Sequence, residues 1–307
     1  MSAAIEIKGL VKRYGKVTAV DGVDMTAASG EMTGLIGPDG AGKTTLLRSL
    51  CGLIRFDSGE CKLSGLDTAR QTAAVRAIVG YMPQRFSLYP DLTVAENLRF
   101  FADLFEVSPA DRNRRLERLL KFSRLGPFSD RKAAALSGGM KQKLALSCTL
   151  IHTPKVLLLD EPTTGVDPVS RREFWDILSE LRGEGVSILV TTPYMDEAGR
   201  CDRVALMHKG RILHTDKPAD IPKLFRNTLV EVECADPARF AKVLAGSGRF
   251  HSVQAYGDRI HVSGPEKPDA LEAMIRRTLS ESAAGKPGRV GRIRPGIEDT
   301  FVELMAG

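Results

Sequence analysis

A glycine-rich loop between an apolar run and a helical segment constrains the fold of this chain more than any other feature. The loop is Gly37-Pro-Asp-Gly-Ala-Gly-Lys-Thr44, which matches the pattern GxxxxGK[ST]. It follows the apolar run 31–36 and precedes a segment of helical composition, 44–53. A buried strand that leads through such a loop into a helix is typical of α/β proteins. The sequence therefore predicts a helix whose N-terminus faces an anionic ligand.

The residue types of this loop indicate that the ligand carries phosphates. Glycines allow backbone N–H groups to converge on phosphate oxygens, and the helix dipole adds positive potential. We expect Lys43 to neutralise the β- and γ-phosphate oxygens and the hydroxyl of Thr44 to bind Mg²⁺. The candidate nucleotide-binding residues of this segment are Gly37, Pro38, Asp39, Gly40, Ala41, Gly42, Lys43, Thr44 and Thr45.

Two adjacent carboxylates follow a second apolar run. The run 156–159 leads directly into Asp160 and Glu161, and a proline comes next. Because successive strand residues point to opposite sides, the two side chains can take different roles. We expect Asp160 to bind Mg²⁺ and Glu161 to act as general base toward an attacking water. The alternative is a pair of solvated carboxylates at the end of a strand.

A third element, Ser137-Gly138-Gly139, begins a helix that continues to Ile151. Ser137 is a good N-cap, which is the simplest explanation of the motif. The two glycines also expose N–H groups that a second anion would bind. One nucleotide on the same chain does not need a second site, so we expect this one to serve the nucleotide of another chain.

The remaining pattern divides the chain into two domains. Nearly continuous apolar runs at 156–159 and 186–190 are typical of strands buried on both faces of a parallel sheet. Helical spacing within about 84–150 predicts a helical insert. The residues after 225 show the order βαββαβ, which indicates a small split βαβ unit. We therefore expect a nucleotide-binding domain over 1–225 and an accessory domain over 226–307.

Composition narrows the class of protein further. No segment reaches the roughly 18 consecutive apolar residues of a membrane span, and the N-terminus lacks a secretory signal, so we expect a cytoplasmic protein. The five cysteines are scattered and form no CxxC pair, which indicates reduced and mostly buried thiols. The net charge of +6 is modest and specifies no anionic partner.

Together these motifs resemble those of the ATP-binding subunits of ABC transporters, over residues 5 to about 225. Gln84 ends the Q-loop-like segment 80–84, 136–140 is the signature LSGGM, and 165–168 resembles a D-loop. The resemblance implies an α/β fold, with a P-loop NTPase (ABC ATPase) core, an antiparallel β subdomain and a helical insert. The small C-terminal α+β appendage (βαββαβ) lies outside it.

The resemblance also implies roles for single residues. Gln84 would contact both the metal and the catalytic water, Tyr14 would stack on the adenine, and Asp167 would be the D-loop acid. Tyr14 has an equally plain explanation as a packing residue, and Asp167 as the N-cap of the next helix. The implied cofactors are ATP and Mg²⁺.

The partners implied by the resemblance are proteins and not nucleic acids. Two such domains bind two ATP molecules head to tail, as a homodimer or a heterodimer. Gln84 and the segment 86–93 resemble the surface that receives membrane permease subunits, which here must be separate chains. The resemblance thus implies a peripheral protein on the inner face of the cell membrane.

Two segments resemble those of drug-export and related type 2 exporters, namely 191–197 and 295–304. This likeness implies an ATPase that powers export of drugs or other hydrophobic compounds. One alternative is a soluble ABC ATPase that acts on nucleic acid or ribosomes. The other is a regulatory nucleotide-binding subunit with little hydrolysis of its own.

Pro193 departs from the family pattern. In Thr191-Thr-Pro-Tyr-Met-Asp-Glu197 the family would have histidine at the third position, where it contacts the γ-phosphate. Proline offers neither a side-chain donor nor a backbone N–H. Loss of one donor to developing negative charge costs on the order of 10² to 10³ in rate. We therefore expect slow hydrolysis at this chain's own site and an asymmetric pair of subunits, whereas a working homodimer that relies on Glu161 is the alternative.

Overall fold

The apolar runs identified in the sequence form the centre of a parallel sheet. The computed structural model describes residues 3–85, 88–282 and 287–306. It divides into two units, Met1–Asp216 and Lys217–Gly307, so the division lies at 216 and not at the expected 225. The strands of the first unit are β1 (Ala3–Tyr14), β2 (Val17–Ala28), β3 (Met32–Ile36), β4 (Ser58–Leu63), β5 (Leu66–Asp67), β6 (Val79–Met82), β7 (Val156–Asp160), β8 (Ser187–Thr192), β9 (Arg203–His208) and β10 (Arg211–Asp216).

The helices of the first unit begin with the predicted helix after the glycine-rich loop. They are α1 (Lys43–Leu50), α2 (Thr72–Ile78), α3 (Val94–Leu104), α4 (Pro109–Phe122), α5 (Gly138–Leu150) and α6 (Pro168–Gly183). Helices α3, α4 and α5 pack on one another, as expected of the helical insert. Thr93 caps α3 through a capping box with Glu96, which satisfies N–H groups that would otherwise lack partners.

Two sheets build the first unit. The larger sheet has the order β10-β9-β3-β8-β7-β6, in which β9 to β6 are parallel and β10 returns as a hairpin. The smaller sheet is antiparallel, with the order β2-β1-β4-β5. Leu158 and Leu189 of the larger sheet and Leu46 of α1 belong to one core with Ile5 of β1. The predicted α/β core with its antiparallel β subdomain is therefore confirmed.

The parallel sheet brings the ends of three strands to one edge. Ile36 of β3 pairs with Thr192 of β8, and Asp160 of β7 pairs with Thr191. The loops after these strands therefore leave the sheet side by side. In parallel α/β sheets this edge is where ligands bind.

The second unit follows the predicted βαββαβ order. Its elements are β11 (Thr228–Glu233), α7 (Pro237–Gly246), β12 (Ser252–Tyr256), β13 (Arg259–Gly264), α8 (Pro268–Ser280), β14 (Val290–Arg292) and α9 (Ile297–Ala306). The antiparallel sheet has the order β12-β13-β11-β14, in which β13 separates β11 from β12 as in a split βαβ unit. Val230, Val262, Phe240 and Ile275 lie in its core.

Helix α9 is joined to this sheet by a partly buried pair of His261 and Asp299. Nδ1 of His261 on β13 lies 2.7 Å from Oδ1 of Asp299, and Nε2 lies 3.6 Å from the carboxylate of Glu231. Burial alone would lower the pKa of His261. The hydrogen bond and negative charge of Asp299, together with Glu231, outweigh it, so the pKa lies above its usual range.

Candidate functional site

The glycine-rich loop connects β3 to α1 as predicted, and its close packing explains two of its glycines. A Cβ on Gly37 would lie 2.2 Å from the carbonyl oxygen of Met207, and a Cβ on Gly42 would lie 2.2 Å from that of Ala19. Gly42 also has φ 108°, a conformation that other residues avoid. Both positions therefore require glycine for steric reasons, apart from any ligand.

Lys43 lies within this loop and is almost fully buried. Its Nζ donates to the carbonyl oxygens of Gly37 at 2.8 Å and Pro38 at 3.1 Å. The same nitrogen lies 3.1 Å from Oε1 of Glu161, whose side chain is also buried. Two loop carbonyls and one carboxylate thus hold the Lys43 side chain at the glycine-rich loop.

Glu161 reaches Lys43 by a route that the strand pattern did not predict. Strand β7 ends at Asp160, and Glu161 has φ 49°, so strand alternation does not separate the two carboxylates. The expectation from strand alternation is therefore wrong, because the chain turns before Glu161. The side chain accepts a hydrogen bond from Nε2 of Gln84 at 2.9 Å. Gln84, Lys43 and Glu161 thus form one cluster.

Asp160 faces the start of α1. Its Oδ1 accepts from the hydroxyls of Thr44 and Thr191, each at 3.0 Å, and Tyr81 lies 3.4 Å from Oδ2. Burial raises the pKa of Asp160, and the two threonine hydrogen bonds oppose that shift. A buried carboxylate next to a threonine hydroxyl provides the oxygen ligands that Mg²⁺ prefers.

Thr191 is a member of the site that the motif search missed. Its Oγ1 also accepts from the backbone N–H of Glu161 at 2.9 Å, so one side chain contacts both acidic residues. The sequence did contain a signal for Thr191, which ends an apolar run as Asp160 does. Neighbouring parallel strands end at the same edge of a sheet, so the two residues could be expected to meet.

The signature residues lie elsewhere in the unit. Ser137 caps α5 by accepting from the N–H of Met140 at 3.3 Å. A Cβ on Gly139 would lie 2.3 Å from Cβ of Ser170 at the start of α6. Among the hydrogen bonds of the described residues, none joins Ser137, Gly138 or Gly139 to the glycine-rich loop.

Asp167 caps α6, and Tyr14 is exposed. Oδ1 of Asp167 accepts from the N–H groups of Val169 at 3.1 Å and Ser170 at 2.9 Å, which lowers the pKa of Asp167. The N-cap interpretation is thus confirmed. Its chain neighbours Val166 and Ser170 lie close to Gly139 of the signature. Tyr14 ends β1 with half of its surface exposed and with the ammonium of Lys12 5.1 Å from its ring, so it is not a core residue.

This fold and this arrangement define a P-loop nucleotide-binding cassette, and comparison with known proteins identifies its family. A model of the ABC transporter family matches residues 20–164. The chain is 35% identical to the daunorubicin resistance ATP-binding protein DrrA2 of Streptomyces coeruleorubidus, across 98% of this chain and 94% of that protein. The chain therefore belongs to the ABC transporter family.

A more similar relative is longer. The chain is 53% identical, over 99% of its own length, to the "Probable multidrug ABC transporter ATP-binding protein YbhF" of Escherichia coli (strain K12). It spans about half, 52%, of the length of that relative.

Solved structures agree on the fold. An ATP-binding subunit of an ABC transporter aligns with a TM-score of 0.65 at 32% identity, over 72% of this chain and 92% of that one. The dimeric cassette MJ0796, in a post-hydrolysis state bound to ADP and Pi, aligns with a TM-score of 0.63 at 26% identity, over 69% and 98%. None of the described helices is both long enough and apolar enough to cross a membrane.

Proposed function

We propose that this chain hydrolyses ATP and thereby powers export of drugs or other hydrophobic compounds by a membrane transporter. The observation that carries the proposal is the cluster of Lys43, Glu161 and Gln84 beside the pair Thr44 and Asp160. Export is favoured by relatives that are named for multidrug transport, daunorubicin resistance and Nod factor export.

The chemistry of the cluster is suited to phosphoryl transfer to water. ATP would place its phosphates in the glycine-rich loop, and Lys43 would exchange its bond to Glu161 for bonds to the β- and γ-phosphate oxygens. Glu161 is then available to accept the proton of a water. When bound, Mg²⁺ would neutralise phosphate charge. Thr44, Asp160 and Gln84 are the residues that would hold it. Tyr14 is the candidate for stacking on the adenine.

We propose two kinds of partner. The first is a second ATP-binding domain, whose nucleotide would meet Ser137, Gly138 and Gly139 while Asp167 lies next to them. The second is a permease on a separate chain, which would hold this subunit at the cytoplasmic face of the membrane. A groove of about 380 Å³, lined by Gln84, Leu88, Pro90 and Lys141 among others, is the candidate docking surface. Phe86 and Ser87 of the expected surface 86–93 lie outside the described residues.

Dimerisation is tested with a hydrolysis-deficient chain. Glu161→Gln should hold MgATP without consuming it and keep two protomers closed. The test adds Ser137→Cys to one protomer and Asp39→Cys to the other, in the presence of the cognate permease. The two introduced thiols should crosslink only when MgATP is present. The same pair with Lys43→Ala is the control. Failure to crosslink at saturating MgATP would contradict the proposal.

Pro193 lies at the edge where the nucleotide would bind. It follows Thr192, which pairs with Ile36 immediately before the glycine-rich loop. We propose that this chain's own site binds MgATP and turns it over slowly, while its signature completes the site of a partner that retains histidine. Single-turnover phosphate release should rise at least 10-fold in Pro193→His, a fraction of the 10² to 10³ attributed to one donor. Equal rates in the two proteins would favour the working homodimer.

A further inference from the structure

Glu197 is a buried carboxylate that joins three segments around the site. It belongs to the 3-10 helix Met195–Arg200 after β8, and its side chain is 4% exposed. Oε1 accepts from the hydroxyl of Thr163 at 2.8 Å and from Nη2 of Arg171 at 3.0 Å, and Oε2 accepts from the hydroxyl of Thr192. These three donors come from other segments of the chain.

Each of these donors belongs to a different part of the site. Thr163 lies two residues after Glu161, in the loop that follows β7. Thr192 ends β8 directly after Thr191, which binds Asp160 and the N–H of Glu161. Arg171 lies on α6, the helix that Asp167 caps. Glu197 therefore connects the carboxylate loop, the end of β8 and the helix that lies against the signature.

The turn that contains Pro193 is held by the same contacts. The hydroxyl of Thr192 accepts from the N–H of Tyr194 at 3.0 Å, and the guanidinium of Arg171 lies 4.3 Å from the centre of the Tyr194 ring. Proline supplies no hydrogen-bond donor of its own. The position of this turn thus depends on Thr192 and Arg171, and Glu197 accepts hydrogen bonds from both.

We propose that Glu197 is a positioning residue for ATP hydrolysis, an inference that rests on the proposed function. It holds the loop that contains Glu161 and the turn that contains Pro193 in fixed positions relative to α6. The negative charge is needed, because two oxygens accept from two hydroxyls and a guanidinium at once. Misplacement of reacting groups by about 1 Å costs on the order of 10² in rate, so a modest shift here has a large effect on turnover.

The experiment compares two neighbouring carboxylates. Glu197→Gln removes the buried charge and keeps the shape, whereas Asp196→Asn is the matched control, since Asp196 is 76% exposed and lies 3.4 Å from Arg171. The full chain is assayed with its cognate partners for the amount of MgATP bound per chain and for phosphate released per bound nucleotide in a single turnover. Fluorescence of Trp175, the single tryptophan, reports on α6 one turn after Arg171.

We expect Glu197→Gln to bind as much MgATP as the native chain and to release phosphate roughly 10- to 100-fold more slowly. Asp196→Asn should stay within about twofold in rate, because its exposed pair contributes little. The fluorescence of Trp175 should shift in Glu197→Gln and not in Asp196→Asn.

Three results would overturn the inference. A rate equal to that of Asp196→Asn refutes it and leaves the proposed function intact. A loss of bound MgATP in proportion to the lost phosphate release indicates a merely structural role. Absence of release from the native chain refutes the proposed function and the inference with it.

Thr192→Val provides the test if Glu197→Gln does not fold. It preserves the side-chain shape but removes the donor to Glu197 and the acceptor of the Tyr194 N–H. We therefore expect phosphate release per bound nucleotide to fall by about 3- to 10-fold. An unchanged rate in Thr192→Val would also refute the inference.

Discussion

The ammonium of Lys43 lies 3.1 Å from the carboxylate of Glu161, with both side chains almost fully buried. The residue proposed to bind phosphate is thus paired with the residue proposed to activate water. A buried ion pair stabilises only if both partners remain, since removal of one leaves an uncompensated charge. Substitutions at this pair should therefore change the free energy of unfolding and the affinity for nucleotide in different ways.

Lys43→Ala should destabilise the chain by about 3 kcal/mol, because Glu161 is left as an unpaired buried charge. Addition of Glu161→Gln should restore most of that stability, since Gln84 and the glutamine can hydrogen-bond without a charge. MgATP binding should be lost in both the single and the double variant, because the phosphate charge is no longer neutralised. Urea unfolding without nucleotide and a binding titration measure the two quantities. Restored binding in the double variant would contradict the assignment of Lys43.

Two adjacent glycines of the signature should respond differently to alanine. A Cβ at Gly139 would lie 2.3 Å from Cβ of Ser170, whereas the nearest atom to a Cβ at Gly138 is 3.9 Å away. Gly139→Ala should therefore cost about 1 to 3 kcal/mol in the free energy of unfolding. Gly138→Ala, the matched control, should be neutral within about 0.5 kcal/mol. Equal effects in urea unfolding would mean that α5 and α6 do not pack as described.

The ion pair between His261 and Asp299 should make the second unit less stable at high pH. The pKa of His261 is raised in the folded state, so the stabilisation is fully present below the unfolded pKa of about 6.5. It is lost as the pH rises through the folded pKa. This histidine faces Glu231 of β11 and Asp299 of α9. Arg259 of β13 pairs with the same Glu231, and the ring of Tyr256 on β12 lies against the imidazole.

The measurement for this pair is an NMR titration of the His261 ring. The midpoint should lie above about 6.5 and should fall in Asp299→Asn, because the main partner that favours the charged imidazolium is removed. In His261→Gln the stability of the second unit should lose the part of its pH dependence that lies above about 6.5. A midpoint that does not move in Asp299→Asn would refute the pairing.

The five thiols should differ sharply in reactivity. Cys51, Cys61, Cys148 and Cys201 are buried, and burial raises the pKa of Cys61 and of Cys201 to about 12. A thiol with so high a pKa forms little of the reactive thiolate. Cys234 alone is partly exposed among these residues.

An aromatic disulfide reagent should therefore modify one thiol per native chain quickly and all five after denaturation. The control is Cys234→Ser, in which the fast phase should disappear. A fast phase that persists in this variant would mean that one of the other four thiols is accessible.

The local motifs were predictable because their geometry is encoded over a few residues. The apolar runs that became β7 and β8, the glycine-rich loop between β3 and α1, and the caps Ser137 and Asp167 all follow from short patterns. The βαββαβ order of the second unit also follows from periodicity. The expectation that strand alternation separates Asp160 from Glu161 failed, because the positive φ of Glu161 has no signal in the sequence.

Short sequence patterns were enough to predict many of the strands and helices and the residues that have the chemistry for phosphate. The hydrogen bonds that Glu197 accepts from Thr163, Thr192 and Arg171 became visible only in the folded chain. The same holds for the contact between His261 and Asp299, which lie 38 positions apart. Such contacts depend on how separate elements pack, and a buried carboxylate has the same one-letter code as an exposed one. Asp196 and Glu197 stand side by side in the chain, and only the fold makes one a surface charge and the other a buried acceptor.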